Sequence, residues 1–452
     1  MLTLKTRKII LALAAIQLFI ILFLSLQNQI YTWDEGSYII NGLELSKEKI
    51  SLVLEKYVAH ERHPLLSWII AGMIKVGLPL ISYKFISFVS LLLLLLLTYK
   101  MGMEFFDRDI ALTASFLLST IPAVIFLSAK VLTDIPSTLL FSFALYLYYV
   151  GLEKPRNFLW GGLVGGISIM MKDLNFLLLP ILLVFMIAFW KKINLKYFVG
   201  SSVIAFISML PYFIDNYLRW GNPLYRIIAH IQMVNEGVGY SSFSILNHPI
   251  AWLFILPILL GLPLFILFVM HLYQRKRTWY FNPQLRFLLI WFFVPFFIFL
   301  AKQKINPRLI GMFLIPVVLL GSYQLIQSKK WKMWLISCLL VNGFLITPLV
   351  IYPHIHLTSE HQEAFAFVKR NLAENETISS NASPPSVIAW YSNRITVFNL
   401  DPDDNETVNY YLFDKTYEKY TQRTNLNPAH YHILFENRKY ILYQKINKSK
   451  EK

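Results

Sequence analysis

The sequence predicts a mainly α, polytopic membrane protein with a small α/β domain at its C-terminal end. Of 452 residues, 56% are hydrophobic, 16% aromatic and only 15% charged. Mean hydropathy is +0.51, well outside the balance of a soluble globular domain. Apolar runs recur from Ile9 to Ile351, and from His354 the composition turns polar. The net charge of +16 does not indicate nucleic acid, because the basic residues sit in short loops between apolar runs, where they write membrane topology. The single cysteine, Cys338, lies inside an apolar run, so no intrachain disulfide framework exists.

The first run, Ile9 to Leu26, follows Lys5, Arg7 and Lys8 and is not followed by a small-residue cleavage site. It reads as a retained first span with a cytoplasmic N-terminus rather than a signal peptide. The next stretch, "HPLLSWIIAGMIKVGLPLIS", is interrupted by Lys75 and bounded by Pro64 and Pro79. Were it to cross, the basic clusters at Lys100/Arg108, Lys154/Arg156, Lys191/Lys192/Lys196, Arg275–Arg277 and Lys329/Lys330/Lys332 would all fall outside. Laid along the outer interface as a juxtamembrane helix, it leaves them all in the cytoplasm. The spans that follow are 85–99, 110–129, 137–150, 158–171, 174–190, 197–213, 251–273, 286–300, 308–323 and 333–351. With the first they make about eleven, an odd number that puts the C-terminus outside. The run 158–171 is rich in glycine (Gly161, Gly162, Gly165, Gly166), which lets neighbouring helices approach closely.

These features divide the chain into a membrane domain, 1–353, and an extracytoplasmic α/β domain, 354–452. In the latter, "SEHQEAFAFVKRNL" opens with a capping-box pattern, Ser359 and Gln362. "RITVFNL", "HYHILFE" and "KYILYQKI" read as short strands. Acceptor-type sequons at Asn375, Asn381, Asn405 and Asn447 suit an outer location in a cell that glycosylates them.

With this topology the outer ends of the spans collect ionisable residues: Asp34 and Glu35; His60, Glu61, Arg62 and His63; Asp134; Lys172 and Asp173; Asp215, Asn216 and Arg219; and Lys302, Lys304 and Arg308. Charge beside apolar helix ends is costly unless solvated, paired or used, so each is a site candidate. Each also has a plainer role open to it. Asp34 fits a wet loop, Asp134 a helix cap before Pro136, Lys172 snorkelling to the interface, and Lys304 and Arg308 anchoring to headgroups. "HERH" puts His60, Glu61 and His63 close together, but the spacing is not a recognised zinc pattern. "DPDD", 401–404, mimics a nucleotide-sugar Asp-x-Asp in a tail too small for such a domain.

As a set, in order, "DE" after the first span, "HPL", "LTD", "MK", "LPYFIDNYLRWGNPLY" and "KINPRLIGMFLIP" resemble the GT-C glycosyltransferases. Within that group they are most similar to the protein O-mannosyltransferases (glycosyltransferase family 39) and the lipid A aminoarabinose transferases. Leu65 stands where that family often has the second proline of His-Pro-Pro-Leu. The oligosaccharyltransferase Trp-Trp-Asp signature is absent. The resemblance implies a multi-pass plasma-membrane enzyme. It would transfer sugar, with inversion, from a polyprenyl-phosphate donor such as dolichyl-phosphate-mannose to a protein, lipid or glycan acceptor on the outer face. No cofactor is then expected, a divalent metal being the open alternative.

The chemistry such a displacement needs distributes the candidates. Asp34 would deprotonate the acceptor, and Asp134 would position the sugar or support the base. Glu35 would hold the acceptor. Lys172, Lys304 and Arg308 would meet the departing phosphate, and His63 would order the loop or contact the donor phosphate. The readings from other classes are a lipid or solute transporter, which places charge and broken helices near the midplane of repeats, and a non-enzymatic scaffold.

Overall fold

A computed structural model of the chain describes residues 2–27, 33–46, 63–229, 251–274, 282–300, 307–346, 359–373, 376–380, 385–392, 394–398, 408–415 and 431–446. The fold has two compact units. One comprises Met1–Asn28 with Lys84–His354, the other Gln29–Tyr83 with Ile355–Lys452.

The first unit is a bundle of apolar helices, and each expected span coincides with a helix, a helix extended by a 3₁₀ turn, or a bent pair. Among the described residues, six helices are able by length and composition to cross a bilayer, including Leu4–Leu26, Ile81–Phe105, Leu195–Trp220 and Pro283–Leu300, and eight if each of two bent pairs counts as one span. Three further helices, Asp134–Val150, Arg156–Met171 and Trp331–Ile346, have 17, 16 and 16 residues. At 1.5 Å per residue these reach about 25 Å, a little under the hydrocarbon thickness.

The two bent pairs were expected as unbroken spans, and local chemistry explains the breaks. Arg108–Thr120 and Pro122–Ser128 meet at 68°, because Ile121 precedes a proline and takes an extended conformation (φ −67°, ψ 122°). Leu253–Leu259 and Leu262–Gln274 meet at 115° across Gly261, whose φ of 86° only glycine adopts readily. Asn342, buried in Trp331–Ile346, serves both breaks. Its Nδ2 donates to Thr120 Oγ1 (3.2 Å), and it lies so close to Gly261 that a Cβ there would come within 2.7 Å of its Oδ1.

Close approach is also what the glycine-rich helix provides. A Cβ on Gly162 would meet the Ser201 carbonyl oxygen at 2.1 Å, and one on Gly166 would meet Ser208 Oγ at 1.9 Å. Helix Arg156–Met171 therefore packs against Leu195–Trp220 through its missing side chains, as its composition suggested.

Hydrogen bonds define the two ends of the bundle. At one end the chain start is tied down by Leu2 N and Arg7 Nε, which donate to the Asp109 carboxylate (2.9 and 2.7 Å). Asp107 caps the same helix through Asp109 N and Ile110 N. At the other end Lys84 Nζ donates to Leu26 O (3.1 Å) and Ser87 Oγ to Leu132 O (3.1 Å).

In the second unit the expected juxtamembrane helix is Pro64–Lys75. At 12 residues it is too short to span. It ends in a Schellman motif, with Gly77 N donating to Ile74 O and Leu78 N to Met73 O, and Gly77 at φ 74°. A second helix that the sequence reading did not anticipate, Trp33–Ser46, packs on it where Gly42 meets Ile70. Among the described residues the C-terminal sheet has five strands: β1 (Thr377–Ser380), β2 (Ile395–Phe398), β3 (Tyr410–Asp414), β4 (Tyr431–Glu436) and β5 (Tyr440–Lys445), in the order β2-β1-β3-β5-β4. The expected strands are β2, β4 and β5, whereas β1 and β3 were missed. β1, between β2 and β3, is parallel to both neighbours, and β3-β5-β4 are antiparallel.

Helix Ser359–Asn371 covers the sheet with Phe365 and Val368 against Ile378, Leu412 and Leu442. It starts at Ser359, whose hydroxyl bonds Glu360 rather than closing the anticipated capping box. The buried guanidinium of Arg394 caps its far end through the carbonyls of Lys369 and Leu372. Helix Pro385–Ser392 packs against Trp33–Ser46, which is why residues 29–83 group with the C-terminal region. The four sequons lie outside the described residues.

His361 is buried on this helix against the Phe365 and Tyr440 rings, and Lys439 Nζ lies 2.9 Å from its Nε2. A lysine has only donors, so Nε2 is the unprotonated acceptor. Burial first, and then the Lys439 charge, push the imidazole down to about 4.

Two outcomes follow from this packing. Gly162→Ala lowers the thermal midpoint in detergent, as overpacking by about 1–3 kcal/mol would. Gly72→Ala, with open space around it, leaves the midpoint unchanged or raises it. The unfolded chain binds a proton at His361 near pH 6.5 and the folded one only near 4. Its contribution to stability is therefore full above pH 6.5 and lost as pH falls to 4. Proteolysis of the C-terminal region should accelerate over that window, and His361→Gln should flatten the dependence.

Candidate functional site

Asp134 is the first residue of helix Asp134–Val150, placed by the turn that follows Pro122–Ser128. An acidic residue in the first turn suits the helix dipole, and Pro136 is tolerated there because its missing N–H has no intrahelical partner to lose. The carboxylate does not cap this helix. It is buried and receives two cations, Lys172 Nζ at 2.7 Å from Oδ1 and Arg308 Nε at 3.1 Å from both oxygens, with Arg308 Nη2 also donating to Oδ2. A carboxylate is stable away from water only when compensated in this way.

Each cation is delivered by a chain break. Lys172 is the extended residue (φ −162°, ψ 126°) that ends Arg156–Met171 before the 3₁₀ turn Asp173–Leu177. Its ammonium is therefore spent on Asp134 rather than on snorkelling. Arg308 lies in the 3₁₀ turn Pro307–Phe313, which closes onto helix Asp134–Val150 at Gly311, where a Cβ would meet Thr138 Oγ1 at 2.1 Å. Thr138 Oγ1 in turn donates to Asp134 O (2.8 Å). The Asp134 side chain is 2% exposed, against 16% for Lys172 and 30% for Arg308. Of the three side chains, the two cations rather than the carboxylate keep accessible surface. The cluster sits at the end of the bundle marked by Leu132 and Ser87, away from Leu2 and Asp109.

The second unit holds the other described candidates. Asp34 and Glu35 occupy the first turn of Trp33–Ser46, not the wet loop that was the simplest expectation for Asp34. Glu35 has no exposed surface and Asp34 is partly exposed, so of the pair Asp34 is the one accessible to a substrate. His63 is the partly exposed residue ahead of Pro64–Lys75 and gives that helix no side-chain cap. Lys304, Lys302, His60, Glu61 and Arg62 lie outside the described residues. Among the described residues no group of three or more His, Cys, Asp or Glu is placed to hold a metal ion.

Asp215, Asn216 and Arg219 form a separate, structural cluster. Arg219 Nε and the buried Arg226 Nη1 both reach Asp215 (2.8 and 2.7 Å), and Arg226 Nη1 also reaches Asn216 Oδ1 (2.7 Å). Asn216 Nδ2 donates to Pro223 O (2.9 Å). The Gly-Asn-Pro element is thus a turn, with Gly221 left-handed at φ 67° and Asn222 Oδ1 accepting from Leu224 N. Among the residues not anticipated from sequence, Asn175 stands out. It is fully buried, three positions after Lys172, and carries no charge to draw attention to it.

A multi-pass helical bundle followed in sequence by a small α/β region is the GT-C type of fold that the sequence resemblance implies. Comparison with known proteins bears this out and agrees with the sequence resemblance. A family model described as dolichyl-phosphate-mannose-protein mannosyltransferase matches residues 61–214, about a third of the chain. The match includes His63, Asp134 and Lys172 but not Asp34, Glu35 or Arg308. The structure is similar to that of ArnT from Cupriavidus metallidurans bound to undecaprenyl phosphate (TM-score 0.74, 11% identity, 97% of this chain and 98% of that one).

It is also similar to the Archaeoglobus fulgidus oligosaccharyltransferase in its apo form (TM-score 0.66, 13% identity, 91% and 70%). The archaeal oligosaccharyltransferase AglB from Archaeoglobus fulgidus, in complex with an inhibitory peptide and a dolichol-phosphate, is similar as well (TM-score 0.60, 14% identity, 92% and 71%). No curated protein sequence matches the chain. At these identities the likeness establishes the fold.

The Asp134 pairing makes an ordered prediction. Asp134→Asn leaves two cations facing each other and should cost on the order of 3 kcal/mol. Lys172→Met or Arg308→Leu, each leaving one partner, should cost less. Thermal midpoints of the purified variants test the order.

Proposed function

We propose that this chain is an inverting glycosyltransferase that moves a sugar from a polyprenyl-phosphate-linked donor to a protein, lipid or glycan acceptor on the extracytoplasmic face of the membrane. The observation that carries the reading is the pair of partly exposed cations, Lys172 and Arg308, held by one buried carboxylate at a bundle end. In such a displacement the acceptor hydroxyl or amine attacks the anomeric carbon. The bond from that carbon to the phosphate oxygen breaks, and its electron pair leaves with the phosphate. Negative charge grows on that oxygen, and fixed cations near it lower the barrier. Arginine adds two parallel donors. Asp134 then has the role of holding both cations in place, and Asp34 that of accepting the acceptor's proton. The undecaprenyl phosphate bound by ArnT and the dolichol-phosphate bound by AglB are consistent with a donor of this class.

The test is transfer of labelled sugar from a panel of polyprenyl-phosphate sugars by purified protein, with and without EDTA. Asp34→Asn should lower transfer by roughly a hundredfold or more, Arg308→Leu and Lys172→Met should raise the donor KM, and EDTA should leave the rate unchanged. The two broken spans are a feature that transporters share. A protein that consumes no donor but moves lipid or solute across vesicles would replace the enzyme reading with that one.

A further inference from the structure

We propose that Asn175 is a positioning residue that sets Lys172 against Asp134. This inference rests on the proposed reading of that cluster as the holder of a polyprenyl phosphate. Asn175 is fully buried in the 3₁₀ turn that follows Lys172. Its side chain works in two directions. Oδ1 accepts from Ser137 Oγ (3.2 Å), one turn into the helix that Asp134 starts. Nδ2 donates to Ser168 O (2.8 Å), one turn before Lys172, with a longer contact to Ser137 O (3.5 Å).

The backbone completes the clamp. Lys172 N donates to the same Ser168 carbonyl (3.1 Å), and Asn175 N donates to Lys172 O (3.0 Å). A carbonyl oxygen has two lone pairs, so Ser168 O serves both donors. One planar amide therefore fixes the two segments that carry the ion pair, each at one turn's remove. Few other side chains fit: an aliphatic residue would strand the Ser137 hydroxyl, and an aspartate would turn a second oxygen toward Ser168 O.

Lysine needs such a device more than arginine does. Its ammonium ends a flexible four-carbon stem and gains no geometry from its own shape, whereas Arg308 grips the carboxylate with a rigid fork. The position of the Lys172 backbone therefore decides where its charge lies. A displacement of about 1 Å in a group that meets a transferring phosphate is enough to weaken its effect severalfold to a hundredfold.

The experiment is a double-mutant cycle read as the Kd of labelled undecaprenyl phosphate for the full-length protein in detergent, on material that is monodisperse. Lys172→Met and Asn175→Ala should each weaken binding by roughly tenfold or more. The double variant should bind no more weakly than Lys172→Met alone, because Asn175 acts through the lysine. A lower thermal midpoint with unchanged Kd in Asn175→Ala, or an effect that multiplies undiminished on Lys172→Met, would overturn the inference. Should Asn175→Ala not fold, Ser137→Ala removes one arm of the same clamp and must weaken binding in the same non-additive way. If Lys172→Met itself leaves Kd unchanged, the reading of the cluster as the phosphate holder fails, and the role of Asn175 falls with it.

Discussion

The burial of one carboxylate, Asp134, constrains most of the membrane unit. In an apolar interior an unpaired carboxylate is prohibitive, so the fold must bring cations to it, and it does so from 38 and 174 residues away along the chain. Lys172 arrives because a glycine-rich helix stops short and Lys172, the residue just after it, is extended. Arg308 arrives because Gly311 lets a 3₁₀ turn settle on Thr138 with no side chain between them. The same constraint gives the cluster its outward character. The carboxylate is consumed in holding the cations, and it is their side chains that keep accessible surface.

The rest of the bundle answers a second constraint, that backbone polar groups inside a membrane need partners. Two spans are broken, at Ile121-Pro122 and at Gly261, and a break leaves helix ends within an apolar region. Asn342 lies at both, donating to the Thr120 side chain at one and packing against Gly261 at the other. Elsewhere hydroxyls bond back to the preceding turn of their own helices, as Thr98 does to Leu94 O and Ser208 to Ala205 O. Helices such as Arg156–Met171 and Leu195–Trp220 then gain contact from close packing rather than from hydrophobic burial, which is weak between helices in lipid.

The second unit is built by different rules. Its core is Phe365, Val368, Ile378, Leu412 and Leu442 between one amphipathic helix and a mixed sheet, as in a water-soluble α/β domain. Two of its buried ionisable groups show how polarity is accommodated there: Arg394 bonds carbonyls at a helix end, and His361 stays neutral beside Lys439. Helices Trp33–Ser46 and Pro64–Lys75 join it through Pro385–Ser392, so a segment early in the sequence becomes part of a unit built mainly late in it.

The sequence alone determined that the chain is a multi-pass bundle, where its apolar helices lie, that a polar α/β region follows, and which ionisable residues merit attention. These properties are written locally: hydropathy marks helices that must bury their backbone, and a charge beside an apolar run is conspicuous because it is expensive. Asp134, Lys172 and Arg308 were legible for that reason. Their pairing was not, because partners far apart in sequence meet only through packing. Asn175, Gly311 and Gly42 escaped notice because uncharged or absent side chains show their purpose only against a neighbour. Helix Trp33–Ser46, strands β1 and β3, and the bends at Ile121 and Gly261 escaped because short elements draw their definition from what they pack upon. Only the tertiary structure decided that Glu35 is buried, that Asp215 is held by Arg219 and Arg226, and that one carboxylate gathers two cations.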